Sequence, residues 1–136
     1  MPDLVLVDTS AWTRFLRKNP DRPDVADEVE RLLTEDTICY CEPVFIELTA
    51  GARGEKELKA LKGLFTEIRL KSVDARSWNT AMDTAFALGQ KGFRNTPMAD
   101  IIIASTAMTN NLVLFHHHPK HFKPIAQVTS LEQYSL

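Results

Sequence analysis

No apolar run in this 136-residue chain is long enough to span a bilayer, which argues against a membrane role. Cysteine is scarce: only Cys39 and Cys41 occur, separated by Tyr40 on what reads as a strand. Their side chains leave opposite faces, so a mutual disulfide is not expected, and no zinc-cluster spacing exists. Glycine and proline are few, 5 and 7, and with 25% charged residues this argues against disorder. Neither sign of charge dominates. The 16 Lys and Arg against 18 Asp and Glu leave a net charge of −2. The chain as a whole is therefore no electrostatic nucleic-acid binder, and any RNA or DNA contact needs a local basic patch or a bound metal. There is no internal repeat, low-complexity tract or linker, so residues 1–136 read as one domain. A hydrophobic content of 44% suits a compact core. The N-terminal apolar run is too short for a signal peptide and is interrupted by Asp3 and Asp8. A soluble cytoplasmic protein is expected.

What is present is an alternation of strands and helices. Leu4-Val5-Leu6-Val7 is continuously apolar, as in a parallel strand buried on both faces. A short helix follows from Ser10 to about Lys18, broken by Asn19-Pro20. Pro23 opens a second helix to about Leu33, with Asp21 or Arg22 near its cap. Thr37–Cys41 is a second strand, Glu42-Pro43 starts a helix that Gly51 ends, and an amphipathic helix runs from Gly54 to Phe65. Glu67–Leu70 is a third strand. Asp74 caps a helix over Ala75–Lys91, closed by Gly92. Thr96-Pro97 reads as an N-cap and first-turn pair for a helix ending near Asn110-Asn111, where a left-handed cap fits. Leu112–Phe115 is a fourth strand, followed by three consecutive His, a Pro-initiated turn and Val128. Such alternation predicts an α/β layer fold with a central parallel sheet of four to five strands.

Three acids stand where carboxylates are costly. Asp8 closes the first strand, where open α/β sheets place their sites. Glu47 shares a helix stripe with Val44, Leu48 and Gly51, and Asp100 one with Ile103, Ala104 and Ala107. An ionised carboxylate taken from water without partners costs several kcal/mol or more, roughly, unless its pKa rises or a cation pairs it. Each acid alone has an ordinary structural use: Asp8 as a cap for the next helix, Glu47 as a partner of Arg53, Asp100 as a dipole residue. Together they favour a divalent cation. Oxygen ligands with open positions suit Mg²⁺ or Mn²⁺, and such an ion activates water and stabilises charge on a phosphodiester.

The segments Val7-Asp8-Thr9-Ser10, Pro43–Leu48 with Gly51-Ala52-Arg53, and Thr96–Ala104 together resemble the PIN-domain family, and within it the VapC-type toxins. The resemblance spans nearly the whole chain in order and spacing. It implies a three-layer α/β/α PIN-like domain and a Mg²⁺- or Mn²⁺-dependent endoribonuclease acting on single-stranded RNA. It also implies a homodimer inhibited by a small antitoxin protein lying across the active-site groove. Asp8, Glu47 and Asp100 correspond to the family's first three acids. The fourth position departs from the pattern. Where the family often has Thr-x-Asp or Thr-x-Asn before an aromatic, this chain reads His116-His117-His118-Pro119-Lys120-His121-Phe122. Spacing to Phe122 puts His118 in the acid or amide place. Imidazole suits Mn²⁺ and heavier divalents better than Mg²⁺, which puts the metal preference in question.

Around the acids, Thr9 and Ser10 suit orienting the Asp8 carboxylate or a water, or simply capping the helix. Arg14, Lys91, Arg94 and Lys120 are candidates for phosphate contacts. Trp12 and Phe15 suit core or dimer packing better than base stacking. Three other readings compete. A phospho-acceptor receiver domain wants its acceptor on a later strand than Asp8's. A haloacid-dehalogenase-like phosphatase wants a second Asp where Ser10 stands. A catalytically inactive PIN-fold protein that binds RNA or a partner is kept open by His118.

Overall fold

The computed structural model describes residues 3–17 and 19–136. In chain order the elements are β1 (Val5–Val7), α1 (Thr9–Leu16), α2 (Pro23–Thr34), β2 (Ile38–Tyr40), α3 (Glu42–Ala50), α4 (Glu55–Thr66), β3 (Arg69–Leu70), α5 (Ala75–Gln90), α6 (Met98–Thr109), β4 (Val113–Phe115), α7 (Pro119–Val128) and β5 (Gln133–Tyr134). All pairings are parallel, in the order β3-β2-β1-β4-β5. Helices cover both faces of this five-stranded parallel sheet in three α/β/α layers, the arrangement that the family resemblance implies.

The central strand, β1, is the one buried at every residue. Leu6 and Val7 are fully buried, and β1 registers Leu6 against Cys39 of β2 and Leu114 of β4. From β1 the chain first builds outward to β2 and β3. It then returns across the sheet through α5 and α6 to add β4 and β5 on the opposite side. The reversal puts a topological switch point between β1 and β4, where open sheets leave a crevice beyond the strands' carboxyl ends. Asp8 follows β1 there and His116 follows β4. Beneath α1, Trp12 is wholly buried and stacks against Phe65, which also meets Tyr40 and Phe45. Trp12 is thus a core residue, as expected.

Most expected boundaries hold. Asp74 caps α5 through Ser77 N–H, Gly92 takes φ +83° after it, and Asn111 takes φ +55° after α6. α1 ends at Leu16, and Lys18, the expected last residue, lies outside the described residues. Two expectations change. Thr96 is not the N-cap of α6. Pro97 occupies that position in extended backbone, with no side-chain cap bond, and the helix starts at Met98. Asp100 therefore sits in the first turn. The segment after the His triplet is more than a turn: Pro119 opens the ten-residue helix α7, and a fifth, two-residue strand follows. Among the described residues no helix is long and apolar enough to cross a membrane.

Candidate metal and nuclease site

Asp8 is 3% exposed. It is the N-cap of α1, and its Oδ2 accepts from Ser10 N–H at 3.0 Å and Ser10 Oγ–H at 2.6 Å. Its other oxygen, Oδ1, is buried and accepts no hydrogen bond among the described residues. A buried carboxylate oxygen without a donor is costly, and a cation is the partner that fits it.

Asp100, 9% exposed, enters from the first turn of α6. Burial, then the charge of Asp8, and further down that of Glu47 push its pKa up to about 6, against a pull from His121. The helix dipole favours an anion at this position. The upward shift therefore means that desolvation and neighbouring carboxylates prevail.

Glu47 corrects the expectation of a buried stripe. Its side chain is exposed, while Val44 and Leu48 on the same helix are buried. The helical spacing is right, but the Glu stands at the rim of the core face, where Thr9 Oγ1–H donates to its Oε1 at 2.7 Å. Thr9 thus orients Glu47, and Ser10 orients Asp8. Ser10 Oγ also accepts from the backbone N–H of His117 at 2.8 Å, which ties the start of α1 to the loop after β4.

That loop carries its own order. His116 is fully buried. Its Nδ1 accepts from His118 N–H at 3.0 Å, so the proton resides on Nε2, which donates to Gln133 Oε1 at 2.6 Å. Burial pushes the His116 pKa down, which keeps the ring neutral. His118 is exposed, and its ring stacks on His121 with centroids 3.8 Å apart and planes 11° apart. Burial, then the charge of His121, lowers the His118 pKa. His121 Nδ1 lies 2.7 Å from Asp100 Oδ2. His121 stands outside the acid pattern that the sequence shows. Taking Pro119 as the first residue of a helix would have put His121 one turn below His118, on the same face.

The basic candidates separate. Arg14 lies by the site: Nη1 donates to Ser10 O and to Thr13 Oγ1, and Nε approaches Asp21 at 3.7 Å. Lys91, Arg94 and Lys120 are exposed, and among the described residues no hydrogen bond or ion pair joins them to the acids. Arg94 instead lines a shallow crevice with Leu88, Gly89 and Ile101. The donor chemistry of Asp8, Glu47 and Asp100 fits a hard divalent ion held by oxygen. Among the described residues no three His, Cys, Asp or Glu side chains are yet drawn close enough to enclose one.

The sequence profile of the PIN domain matches residues 5–127. The chain belongs to the PIN-domain family. VapC ribonuclease Mb1587 of Mycobacterium bovis is 30% identical over 132 residues, covering 95% of this chain and 96% of the relative. Ribonuclease VapC11 of Mycobacterium tuberculosis H37Rv matches to the same extent. The chain is thus related to the VapC toxins of toxin–antitoxin systems. Among solved structures, DNA-bound VapBC from Salmonella typhimurium superposes with a TM-score of 0.79 at 18% identity, over 98% of both chains. VapBC-1 from nontypeable Haemophilus influenzae gives 0.78 at 23%, over 97% of both. At those identities the likeness is one of fold.

Proposed function

We propose that the chain is a divalent-metal-dependent endoribonuclease that cuts single-stranded RNA, and the toxin of a toxin–antitoxin pair. The observation that carries this reading is Asp8 Oδ1, a buried carboxylate oxygen without a donor among the described residues, on an acid whose charge helps to raise the pKa of a second buried acid, Asp100. Asp8, Glu47 and Asp100 would hold Mg²⁺ or Mn²⁺, with His118 as a further donor at the exposed rim. When bound, such an ion supplies positive charge against a phosphodiester and lowers the pKa of water. The chain's own residues prepare the place. Ser10 fixes one Asp8 oxygen and leaves the other free, and Thr9 steers Glu47. Arg14, beside the His loop, is the best placed of the basic residues for a phosphate oxygen. Lys91, Arg94 and Lys120 would meet RNA farther out.

Relatives at this degree of identity are named ribonucleases, and similar folds are solved as VapBC complexes. Both facts support an RNA substrate and a small antitoxin partner. The test is incubation of the purified chain with single-stranded RNA in Mg²⁺, Mn²⁺ or EDTA. Cleavage in either metal, abolished by EDTA and by Asp8→Ala, is expected. Expression without a partner should arrest growth, and Asp8→Ala should relieve it. A folded chain that cuts no RNA in either metal overturns the nuclease reading and leaves a partner-binding PIN domain.

A further inference from the structure

His121 has no place in the acid pattern, yet its Nδ1 lies 2.7 Å from Oδ2 of Asp100. It is held from two sides. Its ring lies flat on His118, whose backbone is tied to His116, which in turn is tied to Gln133 of β5. Phe122, the next residue, is fully buried and packs on His116, which anchors the α7 backbone at that point. A ring braced this way meets its neighbour from a fixed direction. Its Nδ1 lies against Oδ2 of Asp100 and so limits how that carboxylate can turn.

We propose that His121 is a positioning residue: it holds Oδ2 of Asp100 so that the remaining oxygen faces a divalent ion. His116, His118 and Gln133 serve as its brace. The proposal rests on the metal-dependent reading above. It gives a use to the one imidazole that contacts an acid among the described residues, and it explains why a buried His116–Gln133 pair lies behind an exposed loop. Carboxylates that ligate metals are commonly oriented by such hydrogen bonds, and losing one typically weakens metal affinity by about 10- to 100-fold.

The experiment measures Mn²⁺ binding to the full chain by calorimetry, and free Mn²⁺ by its electron paramagnetic resonance signal, without RNA. Wild type, His121→Ala, His121→Asn, His121→Gln and Asp100→Asn are compared. The amide nitrogen of Asn falls where imidazole Nδ1 does, whereas that of Gln reaches toward the Nε2 position. Positioning predicts that His121→Ala and His121→Gln bind about 10- to 100-fold more weakly, while His121→Asn stays within about threefold of wild type. If His121→Ala fails to fold, the Asn and Gln pair carries the comparison. Equal binding by wild type and His121→Gln overturns the proposal, as does an Asn variant as weak as Gln, which would mark the ring as a direct ligand. In both cases loss of binding in Asp100→Asn leaves the metal reading intact. A wild type that binds no Mn²⁺ overturns both together.

Discussion

Asp100 sits in the first turn of α6, where the helix dipole is worth roughly 0.3–1 kcal/mol to an anion. Burial and the charges of Asp8 and Glu47 nevertheless raise its pKa from the ordinary 3.8 to about 6. With the folded value above the unfolded one, ionisation costs nothing below pH 4. The cost appears as pH rises through the window between the two values and is complete above pH 6. Asp100→Asn should therefore stabilise the chain in EDTA at pH 7.5 by about 1–3 kcal/mol. The gain should shrink toward zero at pH 4, as read from urea unfolding at several pH values, and RNA cleavage should be lost. A variant less stable than wild type at pH 7.5 would contradict the electrostatics. Ser10 acts in the opposite direction. Its hydroxyl serves both Asp8 Oδ2 and the His117 N–H. Ser10→Ala should cost about 1–3 kcal/mol in the same assay, because the His117 N–H loses its acceptor and Asp8 Oδ2 keeps only the Ser10 N–H. Asp8 and Asp100 could be read from sequence because each interrupts apolar residues that must be buried. Glu47 could be placed by spacing, but its exposure could not: a helix stripe fixes direction, not depth. His121 escaped notice because a polar helix start has no periodicity to reveal it.

α7 and β5 are the elements that sequence reading left out. Pro124 lies inside α7, and an internal proline ordinarily marks a helix end. Here Pro119 supplies a pre-set first turn, and buried Phe122 and Ile125 hold the helix onto the core on either side of Pro124. Tertiary packing thus overrides a local penalty of about 3 kcal/mol. Pro124→Ala should restore an amide donor and raise stability by about 1–2 kcal/mol, after about 0.4–1 kcal/mol is given back through unfolded-chain entropy. An unchanged or lower melting temperature would mean that the helix is already distorted around the ring. β5 is two residues long and polar, too short for any alternation to register. Four strands were legible: β1 and β4, neighbours inside the sheet, show as continuous apolar runs, while Thr37–Cys41 and Glu67–Leu70 contain β2 and β3.

For the molecule as a whole, α5 presents an apolar stripe to solvent. Trp78, Met82 and Phe86 follow one another at four-residue spacing and are 48%, 62% and 70% exposed. A contiguous patch of this kind on a protein surface marks a contact face. We expect the chain to self-associate through it as a homodimer. Met82→Glu and Phe86→Glu should yield a folded monomer by light scattering after size exclusion, and a wild type that is already monomeric at high concentration would refute the assignment. The sheet order was not legible. Alternating elements predict parallel pairing, but only the packing of α5 and α6 sends the chain back across the sheet and makes β1 central.

That crossing has a consequence for how the protein is made. Synthesis delivers Asp8 first, Glu47 and Asp100 much later, and the His loop after them. The crevice between β1 and β4 exists only once β4 has come back to lie beside β1. If the chain cuts RNA as proposed, a nascent piece that stops at α6 holds all three acids and yet has no walled crevice in which to use them.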